Sequence, residues 1–208
     1  MGFFFAEASE NTSKQKKVIP LNAARELGCR VCPLKKEAKH PDLSPNGSDH
    51  PAFYFLGDHP DADDDQNQQI FSGKLGEKLK EQIPAKWRDR VRFNTVVRSA
   101  TLSNRKPQEV EIECCRNSIV SDIEKTQPAI LVTLGTVALQ WCLQQSDVAK
   151  WRGRFIPIRI GQHVCWLYPM YHPKDIQFRQ RISSNGNVIQ TEWDHIFAFD
   201  FKVLFESA

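Results

Sequence analysis

At 208 residues and 23.9 kDa, with 40% hydrophobic and 25% charged side chains, the chain has enough apolar material for one domain with a full core. A net charge of +3 is too small to define a partner, so the placement of charge must carry that argument. No apolar run reaches transmembrane length, and MGFFFA is too short and lacks the basic start of a secretory leader, so a cytoplasmic protein with no membrane partner is expected.

In chain order, residues 1–20 read as a flexible lead-in and 21–208 as a single domain. Residues 22–39 have helical spacing interrupted by the CxxC of Cys29 and Cys32, and HPDLSPNGSDHP after them is loop chemistry. Apolar runs at 52–56, 91–97, 129–134 and 164–170 predict buried strands, and helical patterns fall at 73–83, 107–126 and 136–146. That alternation predicts an α/β fold with a mainly parallel four-stranded sheet and helices on both faces. The tail TEWDHIFAFDFKVLF reads as a closing helix or strand packed on the sheet. Six cysteines in a cytoplasmic chain point to thiols or a metal rather than a disulfide framework.

Ligands of such sheets bind beyond the carboxyl ends of the strands, and a chemically rich cluster follows each run. These are GDHPD at 57–61, NTVVRS at 94–99, LGTVA at 134–138 and YHP at 171–173. Six basic residues surround the second cluster, and further arginines and Lys174 flank the fourth. Cations so placed suit phosphate contacts, with Arg98, Arg105, Lys174, Arg179 and Arg181 as candidates.

The ungapped segment GDHPDADDDQNQQIFSG, Gly57 to Gly73, is similar to the pattern GExPGxxEDxxGxPFVG of family-four uracil-DNA glycosylases. In order with it come CxxCPL at 29–34, NTVVRS, Asn104-Arg105 with Pro107, the ExxxC of Glu111 and Cys115, LVTLGTVALQ, RGR at 152–154 and YHP. Any one of these is weak, but seven in the right order resemble the family over nearly the whole chain. The resemblance implies a three-layer α/β/α sandwich and a monofunctional, monomeric enzyme that flips a nucleotide out of DNA and hydrolyses its N-glycosidic bond.

Residue by residue, the resemblance makes Phe71 the aromatic on which the base stacks, and His172 the histidine that stabilises charge on the leaving pyrimidine. Asn94 is the amide expected to read the base edge, although the family's spacing to Asn104-Arg105 would put Thr95 there. Only one of the two can face the pocket, because strand side chains alternate. Asp58 replaces the family's glutamate and keeps a carboxylate for the water or the sugar cation, and His59 is a general-base or pocket-wall candidate. Asp61 replaces a glycine near the C5 edge of the base, where it would either accept a hydrogen bond from a hydroxylated substituent or cap the following helix. Gln177 and Phe178 fall in a segment that resembles the family's duplex-inserting loop.

Family-four enzymes carry a four-iron four-sulfur cluster, and Cys29, Cys32 and Cys115 match three of its ligands, while Ser99 stands at the fourth. His40 or Cys114 as a substitute ligand, zinc in place of the cluster, and an empty site all remain open at this point. The changes at Asp58, His59 and Asp61 favour a C5-modified cytosine of phage DNA, hydroxymethylated or glucosylated, and hence a defence role. Uracil excision in repair is the family's own activity, and a catalytically degenerate DNA-binding module is the alternative of a different class.

Overall fold

The apolar runs form strands because each alternates between two buried faces. Phe53 and Phe55 point to one side and Tyr54 and Leu56 to the other, and all four are inaccessible to solvent. In the computed structural model, which describes residues 19–178, 181–182, 185, 188–189 and 192–207, the strands are β1 (Asn46–Gly47), β2 (Phe53–Gly57), β3 (Val91–Thr95), β4 (Ile130–Leu134), β5 (Ile156–Ile160) and β6 (His163–Met170). A separate two-stranded ribbon pairs β7 (Arg181–Ile182) with β8 (Val188–Ile189). The helices are α1 (Leu21–Leu27), α2 (Ala62–Asn67), α3 (Lys74–Glu81), α4 (Glu109–Thr126), α5 (Thr136–Leu143), α6 (Val148–Trp151), α7 (Pro173–Phe178) and α8 (Glu192–Glu206). Residues 1–18 of the expected lead-in lie outside the described residues.

The sheet has six strands in the order β1-β3-β2-β4-β6-β5, not the four expected. The four predicted strands are its parallel centre, and β1 and β5 add antiparallel edges. Both edges escape a search for apolar runs for a physical reason. β1 is a two-residue piece of loop chemistry, and β5 (IPIRI) carries a proline and alternates toward solvent, as an edge strand can.

One core lies between the sheet and α3 and α8, where Phe197, Phe201, Leu204 and Phe205 of α8 pack on Phe53, Phe55 and Tyr168. The other lies under α1, α4 and α5, around Tyr54, Leu56, Ile119, Leu131 and Leu167. The tail is therefore a helix, and the layers are α/β/α. Because β3 and β4 flank β2 on opposite sides, the chain changes direction at the carboxyl end of β2. That is where such a sheet opens a crevice. Among the described residues no helix is long and apolar enough to cross a membrane.

Candidate active site

The crevice is a pocket of about 210 Å³ whose lining includes Asp58, His59, Asp61, Phe71, Thr95, Asn104, His172 and Lys174. A larger cavity of about 460 Å³ lies against α3, Ile83 and Phe93, and none of those eight residues lines it.

Asp58 follows β2 and is received by the start of α5, where its Oδ1 accepts the Ala138 N–H at 3.2 Å. Burial pushes its carboxyl up to about 7; the Ala138 and Val137 amides and Lys174 oppose that rise, and Asp175 adds to it. Gly135 makes the approach possible, with φ of 89° and a position where a Cβ would sit 3.0 Å from the His172 Cβ.

The two histidines follow from their partners. Nδ1 of His59 lies 2.8 Å from the Pro60 carbonyl, which can only accept, so Nδ1 carries the proton and Nε2 a lone pair. Nδ1 of His172 instead accepts the Lys174 N–H at 3.1 Å. Burial, with His59 and Lys174 adding to it, pushes His172 down to about 3, so the ring is neutral and its proton is on Nε2. Burial also lowers His59. The pocket thus holds one imidazole that accepts at Nε2 and one that donates there.

The acidic run divides into separate tasks. Asp61 caps α2, accepting the Asp64 N–H at 2.9 Å, and also lines the pocket. Asp64 is buried and accepts the Ser72 N–H at 2.7 Å, which fixes the loop next to Phe71. Asp65 accepts the N–H groups of Lys39 and His40, while Asp63 is exposed. Phe71 is held at φ of 52°, only 6% exposed, with its ring over Gly57, where a Cβ would come within 2.7 Å of Cζ. A non-glycine residue in that conformation is strained, and strain of this kind persists where surrounding structure fixes it.

The expectation for Asn94 is corrected. Its Nδ2 donates to Tyr54 Oη at 2.7 Å, Tyr54 donates to Asp122, and Asp122 is paired with Arg92, so the amide is committed to the α4 side of the sheet. Its Oδ1 accepts the Thr95 N–H. Alternation then turns Thr95 to the pocket, where its Oγ1 is buried with no hydrogen-bond partner. Asn104, at φ of 53°, also lines the pocket and has no base-reading role assigned from the sequence. The family's spacing to Asn104-Arg105 was the signal for Thr95.

Two of the five residues expected to contact phosphate have partners within the chain. Arg105 makes a bidentate pair with the fully buried Glu111 at 2.6 and 2.9 Å and reaches Glu37. Arg98 binds the Leu43 carbonyl and Asp42. Both guanidiniums thus hold the loops together. Lys174 lines the pocket, Arg179 lies outside the described residues, and of Arg181 only the backbone, in β7, is described. The side chains of Gln177 and Phe178 at the end of α7 also lie outside the described residues.

Cys29, Cys32, Cys114 and Cys115 gather between α1 and α4, close enough to shift one another's pKa. Burial is the larger cause and pushes Cys114 and Cys115 up to about 12. Ser99 accepts the Asp42 N–H at 3.0 Å, and Cys115 Sγ accepts the Arg98 N–H. Sulfur donors suit iron, but among the described residues no group of three or more His, Cys, Asp and Glu is arranged to hold a metal. His40 is engaged with Asp65 instead. Cys29, Cys32 and Cys115 would hold three positions of such a cluster, and Ser99 leaves the family's fourth position without a thiol. The thiols also lie on the face of the sheet opposite Phe71, so no reaction step passes through them.

The pocket at the strand ends thus brings together an aromatic ring, a carboxylate and two complementary imidazoles. The chain is 28% identical over 153 residues to the type-4 uracil-DNA glycosylase of Saccharolobus solfataricus, covering 70% of each chain. To the enzyme of the same name from Archaeoglobus fulgidus it is 24% identical over 163 residues, covering 75% of this chain and 81% of that one. To that of Thermotoga maritima it is 25% identical over 163 residues, covering 76% and 83%. Residues 44–194 match the profile of the uracil DNA glycosylase superfamily, and the chain therefore belongs to that superfamily as a family-four-like DNA glycosylase.

Proposed function

We propose that this glycosylase removes a pyrimidine bearing a hydroxylated C5 substituent, hydroxymethylated or glucosylated cytosine, from cytoplasmic phage DNA, acting as a monomer in defence. The observation that carries the reading is the Asp61 carboxylate in the pocket wall, where the family has glycine. Its cap bond occupies one face of Oδ1, and a carboxylate has about four acceptor positions. Thr95 supports the same reading. A rotating hydroxyl either donates to a 4-oxo group or accepts from a 4-amino group, so cytosine derivatives are not rejected.

In the proposed mechanism the flipped base stacks on Phe71 and its N-glycosidic bond breaks toward an oxocarbenium-like sugar. Asp58, once ionised, balances that charge. His59 Nε2 takes the proton of the attacking water, whose oxygen bonds to the anomeric carbon. His172 Nε2–H hydrogen-bonds to the base as it leaves as an anion with the bonding electron pair, and the proton that His59 took from the water returns through solvent to neutralise the base. An abasic site and a free base result.

The second reading, uracil excision in repair, is favoured by the names of the relatives. Duplexes carrying uracil, 5-hydroxymethylcytosine or glucosylated 5-hydroxymethylcytosine, incubated with the protein and then treated with alkali, separate the two. Strand scission is expected at the modified cytosines; scission at uracil alone would sink the modified-base reading.

A further inference from the structure

Beside the base pocket lies a second cavity, about 180 Å³, that the mechanism above does not use. The two share Asn104, and the start of α2 divides them: Asp61 lines the first and Ala62 the second. We propose that this second cavity receives a neutral sugar carried on the C5 substituent of the flipped base. The inference rests on the modified-base reading and says where the substituent goes.

The position fits. Asp61 is the wall residue assigned to the C5 side, so a substituent passing it enters the space bounded by Ala62 and Asn104. The lining also selects among ligands. It carries two carboxylates, Glu37 and Asp65, with Ser103 and Asn104, over small apolar walls that include Ala38. Arg105, next in the chain to Asn104 of the lining, is spent on Glu111 and Glu37. A phosphate would meet two like charges and no free cation in that lining, whereas the hydroxyls of a sugar donate to carboxylates and exchange hydrogen bonds with an amide and a hydroxyl.

The cavity is also held in shape. Asp65 is anchored by the N–H groups of Lys39 and His40 at 2.9 and 2.7 Å. The opposite wall is the loop closed by Thr101 Oγ1 donating to the Arg105 carbonyl at 2.7 Å. Within that loop Ser103 and Asn104 both adopt left-handed backbone, φ of 55° and 53°. Two successive non-glycine residues in that conformation cost free energy, and such cost is characteristic of segments that contact a ligand.

The test fills the cavity without touching the base pocket. Ala62→Leu on the exposed start of α2 and Ala38→Leu on the facing wall are assayed for kcat/KM on hydroxymethylcytosine and glucosylated hydroxymethylcytosine duplexes. Each variant is expected to lose about tenfold or more on the glucosylated strand while staying within about twofold on the other. Activity on the unglucosylated strand doubles as the check that the variant folds. Equal losses on both strands would assign the cavity to the DNA strand itself and overturn the inference, as would a wild-type protein that cuts hydroxymethylcytosine but not its glucosylated form. If wild type cuts neither modified strand, the modified-base reading fails and takes this inference with it.

Discussion

His59 and His172 line one pocket in opposite tautomers: His59 donates from Nδ1 to a carbonyl, and His172 accepts at Nδ1 from an amide. Each backbone contact sets what the far nitrogen offers, a lone pair from one ring and a proton from the other. Two neutral imidazoles so arranged can serve the two ends of a hydrolysis, the water and the leaving base. His172→Ala is expected to lower kcat about 100-fold or more with little change in KM, as loss of a donor to developing negative charge does. His59→Ala is expected to lower kcat as well, and high pH should partly restore its rate, because hydroxide replaces the missing base. A pH–rate series on both variants separates the roles, and rescue of His172→Ala by high pH would reverse the assignment.

Asp58 sets the pH dependence. Its folded pKa, about 7, lies above the ordinary value of 3.8, so activity that needs the carboxylate rises through neutrality and levels off above it. The stability effect has the opposite direction. The folded state binds this proton more tightly than the unfolded chain, so its contribution to folding is complete below about pH 4 and is lost as pH rises through about 7. Asp58→Asn should therefore abolish the acidic limb, lower kcat, and raise the thermal midpoint relative to wild type at pH 8. Calorimetry at pH 5 and pH 8 checks the sign, and a variant less stable than wild type at pH 8 contradicts it.

Thr95 and Asn94 should separate function from stability. Thr95→Val removes a hydroxyl that has no partner in the fold, so the protein should keep its thermal midpoint and lose about 10- to 100-fold in kcat/KM. Asn94→Ala leaves the buried Tyr54 hydroxyl and the Thr95 N–H short of a partner, at a cost of about 1–3 kcal/mol. Its main effect should appear in denaturant unfolding, with milder loss of activity. A Thr95→Val enzyme with unchanged kinetics would remove Thr95 from base recognition.

Much of this was readable in the sequence, because the features concerned are local or periodic. The parallel strands announced themselves as apolar runs, and Asp58, Phe71 and His172 fell at strand or loop ends where ordered motifs placed them. What escaped depends on contacts distant in sequence. Nothing in NTVVRS says that Tyr54 and Asp122, 40 and 28 residues away along the chain, will claim the asparagine and leave the threonine to the pocket. Likewise, an arginine beside a motif looks the same whether it meets a phosphate or a buried glutamate. Arg105 meets Glu111.

The thiols can be tested by restoring the family's pattern. Ser99→Cys places a fourth family ligand beside Cys29, Cys32 and Cys115, and is expected to raise the iron and sulfide content of anaerobically purified protein above that of wild type, with visible absorption. Cys114→Ser in the same background should not reverse the gain. Equal iron in wild type and Ser99→Cys, lost on Cys114→Ser, would mean that Cys114 already completes the set.

Arg105 and Lys174 should differ in kind. Removing the Arg105 guanidinium leaves a fully buried Glu111 carboxylate without its charge partner, a loss of about 3 kcal/mol by analogy with other broken buried pairs. Arg105→Ala should thus lower the thermal midpoint while leaving the salt dependence of DNA binding as it was. Lys174→Ala removes a cation at the mouth of the pocket. It should leave unfolding unchanged, weaken binding to all duplexes alike, and reduce the slope of log affinity against log salt by about one. Titrations at several salt concentrations, read beside melting curves, distinguish the two. If Arg105→Ala flattens the salt slope, its guanidinium leaves Glu111 for phosphate when DNA binds, and the structural assignment made from the free protein fails.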